Sequence, residues 1–267
     1  MSKTLRKIPF SLNGPIIGHV MKECVRRAIV AIRAGRFSFT ASAKGMKKSG
    51  EIDWVTDVDV LVQRIYVKLL REAFPDFGII AEEESLSIPC AIEGTDIYFT
   101  VDPLDGTSAY KRMASAGFGT MISLVMDGEI IAVAIGDAMT GEIYYYRPDS
   151  EKTHRIDEAG NATELKIDSE RTLASQNLLI REHPDWPKFQ PVTREITVYG
   201  RSPFKSIEVT GGSIGLSMAR LWKGEVGACV LSAEKITPWD DTPIIGMSDR
   251  LGFVFFRPGF TMWEQVH

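Results

Sequence analysis

Three cysteines in 267 residues, Cys24, Cys90 and Cys229, stand far apart and form no Cys-x-x-Cys pair. That spacing excludes a disulfide framework and a structural zinc site, and the expectation is reduced thiols in a cytosolic compartment. Histidine is equally scarce: His19, His154, His183 and His267 are the full set, and none adjoins the acidic motifs described below. A histidine-ligated metal is therefore disfavoured. No apolar run reaches the roughly 20 residues of a membrane span. The start, MSKTLRKIPF, lacks the apolar core of a secretory signal. A net charge of -4 without a long basic run offers no footprint for nucleic acid. Repeats and low-complexity tracts are also missing. With 44% hydrophobic and 25% charged residues the composition is ordinary globular. The expectation is a soluble cytoplasmic protein of one large or two intimate domains, with neither a nucleic-acid nor a membrane partner.

The front of the chain is helix-rich and the middle strand-rich. Ile17, Val20, Met21, Cys24, Ala28, Ile29 and Ile32 recur at helical spacing, and Gly35 is placed to end that helix. Residues 44–51 read as a polar, basic loop. A second helix is expected from about Val58 to Ala73, with Leu61, Ile65 and Leu69 on its apolar face and Pro75 beyond its end. Residues 77–81 and 97–101 read as buried strands. Strands 121–126 and 129–135 flank the turn signal Asp127-Gly128, and 141–146 reads as a third strand. The polar stretch 147–165 is the expected boundary between an N-terminal part, 1–146, and a smaller C-terminal part, 147–267. In the latter, 214–222 reads as a helix and 226–231 as a strand. Met113, Met121 and Met126, with Trp54, Trp222 and Tyr144 to Tyr146, read as packing residues.

Chemistry concentrates in Asp102-Pro103-Leu104-Asp105-Gly106-Thr107, read as a loop at the end of a buried strand. Pro103 stiffens it, Gly106 permits close backbone approach, and Thr107 is placed to cap a following helix. Carboxylates hold hard cations, and amides at a helix start hold phosphate oxygens. Other acids also stand at element boundaries: Asp59 early in the second helix, Glu82 after a strand, and Asp240 behind Trp239. Taken singly each is ordinary surface or capping chemistry. Together they offer the oxygen-only donor set that Mg²⁺ prefers.

With these segments in place, the chain resembles the inositol monophosphatase family of Mg²⁺-dependent, lithium-sensitive sugar phosphatases. The likeness rests on Asp53 to Asp59, which is similar to the family's segment ending in Thr-x-Asp, on Phe74-Pro75 through Ile79-Ile80-Ala81-Glu82-Glu83, on Asp102 to Thr107, and on Trp239-Asp240. It implies an α/β fold, the layered α-β-α-β-α sandwich of the inositol monophosphatase/fructose-1,6-bisphosphatase type, and a homodimer. It also implies hydrolysis of a small phosphate monoester, such as inositol monophosphate, by metal-activated water with two or three Mg²⁺ ions. By position, Glu82, Asp102 and the Leu104 carbonyl would hold a first metal, and Asp102, Asp105 and Asp240 a second. Asp59 with Glu82 would support a third, Thr107 would orient the attacking water, and Glu83 is the fallback for Glu82. Gly106 and Thr107 would hold phosphate, while Lys48, Gly212, Ser213 and Glu234 would lie on the substrate side.

Some of the family pattern is altered. Its glycine-rich stretch after the middle strands is replaced by the polar segment 147–165. The substrate-binding glutamate falls by strict spacing on Ala233, one residue before Glu234. A nucleotide 3′-phosphatase, a fructose-1,6-bisphosphatase and a non-catalytic regulatory protein on the same fold are alternatives. Asp57-Val58-Asp59-Val60 also resembles the nucleophile motif of haloacid-dehalogenase-type phosphatases, with Asp240-Asp241 as a late acidic pair. That reading leaves Asp102 and Asp105 without a role.

Overall fold

Helix α1 (Gly14–Gly35) buries Ile17, Met21, Cys24, Val25, Ala28, Ile29 and Ile32, the stripe expected from their spacing. The structure is a computed structural model that describes residues 14–46, 52–168, 170–181, 202–231 and 237–256. Strands β1 (Ala41–Met46) and β2 (Ile52–Thr56) pair antiparallel, so the first residues of the expected basic loop are strand; residues 47–51 lie outside the description. Helix α2 (Asp57–Ala73) starts where Thr56 and Asp59 close a reciprocal capping box, the Thr56 side chain accepting from the Asp59 amide and the Asp59 carboxylate from the Thr56 amide. Its buried stripe is Val58, Val62, Tyr66 and Leu70, whereas Leu61 is 49% exposed. The helix carries two neighbouring apolar stripes with the same spacing, and the expected one is the outer. The one that wins sets the Tyr66 hydroxyl 2.8 Å from Thr120 Oγ1 in the sheet beneath.

Strands β3 (Gly78–Ala81), β4 (Ser87–Ile88), β5 (Ile97–Asp105), β6 (Gly119–Met126), β7 (Glu129–Asp137), β8 (Ile143–Tyr146), β9 (His154–Ile156) and β10 (Ala162–Glu164) build one eight-stranded sheet. Its order is β10-β9-β8-β7-β6-β5-β3-β4. Only the β3–β5 pair is parallel; the other neighbours are antiparallel. The β6–β7 hairpin turns at Asp127 and Gly128, both at positive φ, as its turn signal implies. Residues 147–165, expected as a polar boundary between the two parts, contribute β9 and β10 to the edge of this sheet.

Helix α3 (Thr107–Lys111) is a single short turn. Strands β11 (Asn177–Ile180) and β12 (Ser206–Val209), helix α4 (Ile214–Trp222), β13 (Ala228–Val230) and helix α5 (Pro238–Leu251) follow among the described residues, the three strands forming a parallel sheet in the order β12-β11-β13. Alternation along the large sheet sorts its side chains into two cores. Phe99, Val101, Ile122, Leu124, Ala132 and Ala134 meet α1 and α2. Met121, Val133, Ile135, Tyr144 and Tyr146 meet α4 and α5, which Leu179 of β11 covers from the other side. Among the described residues the layers thus run helices, large sheet, helices, small sheet, in keeping with the expected sandwich. Met113 is a correction: it is 51% exposed, at positive φ just beyond α3, rather than core. No helix among the described residues is long and apolar enough to cross a membrane.

The face chosen by α2 is directly measurable. Leu70→Ala should lower unfolding stability by about 2–5 kcal/mol, and Leu61→Ala should stay within about 0.5 kcal/mol of the parent. Equal denaturant midpoints for the two variants would contradict this packing.

Candidate metal centre

Strand β5 does not stop at Val101 but continues through Asp105, so the expected loop is the end of a strand. Side chains alternate along a strand, and residues 102 and 105 should therefore face opposite ways. The pairing with β6 breaks that rule. Asp102 opposes Met121 and Asp105 opposes Gly119, so three steps on β5 match two on its partner. This bulge inserts one residue, accommodates Pro103, and brings both carboxylates to the α4/α5 side of the sheet. Helix α5 supplies the third acid. Asp240 lies in its first turn, and one oxygen of Asp102, Asp105 and Asp240 each falls within 4.8 Å of the others.

Each acid is held by chain donors. The Leu104 amide donates to Asp102 Oδ1 at 3.0 Å. Asp105 receives the Ser213 hydroxyl and, at 3.1 and 2.8 Å, the amides of Ile214 and Gly215 at the start of α4. The positive end of that helix thus faces the carboxylate. Thr237 Oγ1 donates to Asp240 Oδ2 at 2.6 Å. Gly106, not Thr107, is the N-cap of α3, at φ 90°. A side chain there would be strained, and its Cβ would collide with the Gly117 carbonyl. Gly212 likewise has positive φ and packs on Gly117, which puts the turn before α4 against the turn before β6. Thr107 instead uses its hydroxyl as a link, within hydrogen-bond distance of Asp59 Oδ1 (3.1 Å) and the Leu104 carbonyl (3.0 Å).

Glu82 and Asp59 flank the trio. Burial first, then the charge of Glu82, then those of Asp105 and Asp240, push the Asp102 carboxyl well above the usual carboxylate range. Burial also raises Asp105, against the opposing pull of Ser213, Arg181 and the α4 amides. Asp240 is raised by burial and then by Asp105, and Asp59 is pushed up to about 6, chiefly by burial. Two unit charges 4.8 Å apart repel by about 3.5 kcal/mol at an effective dielectric near 20. Three such pairs rival the whole stability of a domain, about 5–15 kcal/mol. The folded chain must therefore take up either protons or cations here. All the donors are oxygen, which fits a hard divalent cation.

Of the residues expected at the site, Asp59, Glu82, Asp102, Leu104, Asp105, Gly106, Thr107, Gly212, Ser213 and Asp240 gather in one region. Lys48 and Glu234 lie outside the described residues. Glu82 rather than Glu83 acts most on Asp102, whereas Glu83 is buried and tied by its amide and carbonyl to the Gln63 side chain. Asp57, the nucleophile of the rival reading, is exposed, and its carboxylate accepts the Thr40 amide. It follows a two-stranded hairpin instead of a central parallel strand. Sequence reasoning missed Thr237, although Thr237-x-x-Asp240 has capping-box spacing. It also missed Arg181, which donates to the Gly212 carbonyl and draws Asp105 down, and Lys44, which bonds both Glu82 and Glu83. For the last two no local pattern exists, because each acts across elements far apart in the chain.

Comparison with known proteins gives a consistent picture. The profile of the "Inositol monophosphatase family" matches residues 19–243. The chain is 35% identical over 98 residues to the "Nus factor SuhB" of Xylella fastidiosa, covering 36% of this chain and 33% of that protein. It is 28% identical over 223 residues to "Inositol monophosphatase 2" of Homo sapiens, covering 78% of this chain and 71% of the human one. The chain spans from 33% to 54% of the length of the first bacterial relatives it matches. The fold matches a crystal structure of the extragenic suppressor protein suhB of Bartonella henselae with a TM-score of 0.70 at 21% identity, over 90% of this chain and 87% of that one.

The raised carboxyls make a prediction about pH. A carboxyl with a higher pKa folded than unfolded binds more protons in the folded state between the two values. The group thus costs stability as pH rises from about 4 through its folded pKa, about 6 for Asp59 and about 7 for Asp240. In chelator, the melting temperature should be higher at pH 5 than at pH 8, and Mg²⁺ should restore it at pH 8. A pH-independent melting temperature in chelator would contradict the crowding of these acids.

Proposed function

Because the chain belongs to the inositol monophosphatase family, we propose that it is a Mg²⁺-dependent phosphomonoesterase acting on a small phosphorylated metabolite. The observation that carries this reading is the convergence of Asp102, Asp105 and Asp240 within 4.8 Å. Glu82, Asp102 and the Leu104 carbonyl would hold one cation, and Asp102, Asp105 and Asp240 another, with Asp59 and Glu82 beside them. When bound, the cations supply Lewis acidity at the phosphoryl oxygens, a lowered pKa for water, and charge neutralisation at the leaving oxygen.

The chain's own groups do the positioning. Phosphoryl transfer requires an attacking oxygen in line with the leaving oxygen and little covalent help from the protein. Thr107 Oγ1, already 3.1 Å from Asp59 Oδ1, orients the water and passes its proton toward that carboxylate. The amides of Gly106 and Thr107 take phosphate oxygens, and the Gly212-Ser213 turn borders the ester group. The C-terminal part, 147–267, closes the site by contributing that turn and Asp240. No phosphoenzyme forms. We take the protein to be cytoplasmic, a reading supported by its three free cysteines, and a homodimer by family likeness, with inositol monophosphate as the leading substrate. Nucleotide 3′-phosphates and fructose 1,6-bisphosphate are the alternatives of the same reaction class.

A second reading has its own support, since a relative carries the name "Nus factor SuhB". On that reading the fold serves regulatory binding. Turnover separates the two: Asp102→Asn should lower Mg²⁺-dependent phosphate release by at least about a hundredfold, the scale of losing one electrostatic stabiliser. Absence of ester hydrolysis by the parent chain over a panel of inositol phosphates, sugar phosphates and 3′-phosphonucleotides would select the regulatory reading.

A further inference from the structure

Lys44 sits on β1 at the point where its pairing with β2 slips, Ala43 opposing Trp54 and Gly45 opposing Asp53. It is the extra residue of a bulge, a device that re-aims a side chain. Although the strand is exposed, the Lys44 side chain is only 21% so. Its ammonium donates to Glu82 Oε1 at 2.8 Å and to Glu83 Oε1 at 2.7 Å. Those carboxylates are not loose surface groups. The Glu83 side chain is 4% exposed, and Gln63 pins its backbone from both sides, Nε2 to the Glu83 carbonyl and Oε1 from its amide. Glu82 is the neighbour whose charge acts most on Asp102. Burial works against the charged amine, yet Glu82 and Glu83 outweigh it and hold the Lys44 pKa above its ordinary value.

We propose that the Lys44 ammonium takes the place of a divalent cation between Glu82 and Glu83, so that this chain builds one of the site's positive charges into the polypeptide. An ammonium offers three donors and a compact charge on a flexible stem, and two carboxylate oxygens under 3 Å away satisfy it as they would a hard cation. Removing it leaves two negative charges side by side, a vacancy suited to a further divalent ion. This inference rests on the metal reading of the Asp102, Asp105 and Asp240 cluster.

Calorimetric titration with Mg²⁺ tests it, using the parent chain, Lys44→Gln and the charge-retaining Lys44→Arg, each checked for a native circular dichroism spectrum. Lys44→Gln should bind one equivalent more than the parent, and Lys44→Arg should match the parent. The same stoichiometry in Lys44→Gln and parent overturns the inference and leaves the metal reading intact. No saturable Mg²⁺ binding in any of the three chains overturns both. Should Lys44→Gln not fold, excess binding by Lys44→Met, which keeps the stem, is the supporting result and parent-like binding the contrary one.

Discussion

Like charges cannot be buried together unless something of opposite sign joins them, and the site of this protein is organised around that constraint. Asp102 and Asp105 are 2% and 6% exposed, and a third carboxylate, Asp240, meets them within 4.8 Å. Repulsion on the order of 3–4 kcal/mol per pair would be wasted in a structural core, where an apolar side chain of similar size costs nothing of the kind. Such a cluster makes physical sense where cations are to be held. Burial, reinforced by neighbouring like charge at Asp59, Asp102 and Asp240, moves the pKa values of Asp59, Asp102, Asp105 and Asp240 in one direction.

The fold supplies the geometry through a few local devices, each simple on its own. A bulge in β5 turns two aspartates to one side. The first amides of α4 and the Ser213 hydroxyl fix Asp105, and Thr237 fixes Asp240 at the start of α5. A hydroxyl chain from Thr100 to Thr242 (2.7 Å) and on to Ser123 (3.0 Å) ties α5 to the sheet beneath. The capping box of α2 places Asp59 where the Thr107 hydroxyl reaches it. Two bulges thus aim charges of opposite sign at one region, one in β5 for the aspartates and one in β1 for Lys44.

Much of this was legible in the residues, for identifiable reasons. The α1 stripe, the Asp127-Gly128 hairpin and the bounds of α4 are local patterns, and local patterns survive folding. The acids of the site could be named because carboxylates at element boundaries have few other uses in such number. What stayed hidden is long-range. Whether Leu61 or Val62 faces the sheet depends on the partner surface, because α2 offers two stripes of equal period. The strand character of 102–105 was masked by Pro103 and Gly106, which signal turns unless a bulge intervenes. Helix α5, with Pro243 inside it, and the short strands β11 and β12 carry weak propensity signals that packing overrides. Lys44 and Arg181 act on residues more than thirty positions away, beyond the reach of any motif.

The central claim is that separated acids meet around shared divalent cations. Anomalous diffraction from crystals soaked in Mn²⁺ tests it most directly. The account predicts peaks bridged by Asp102 and lying within about 2.0–2.6 Å of oxygens from Asp105, Asp240 and Glu82. Fully occupied Mn²⁺ elsewhere on the protein, with none between these carboxylates, would contradict it.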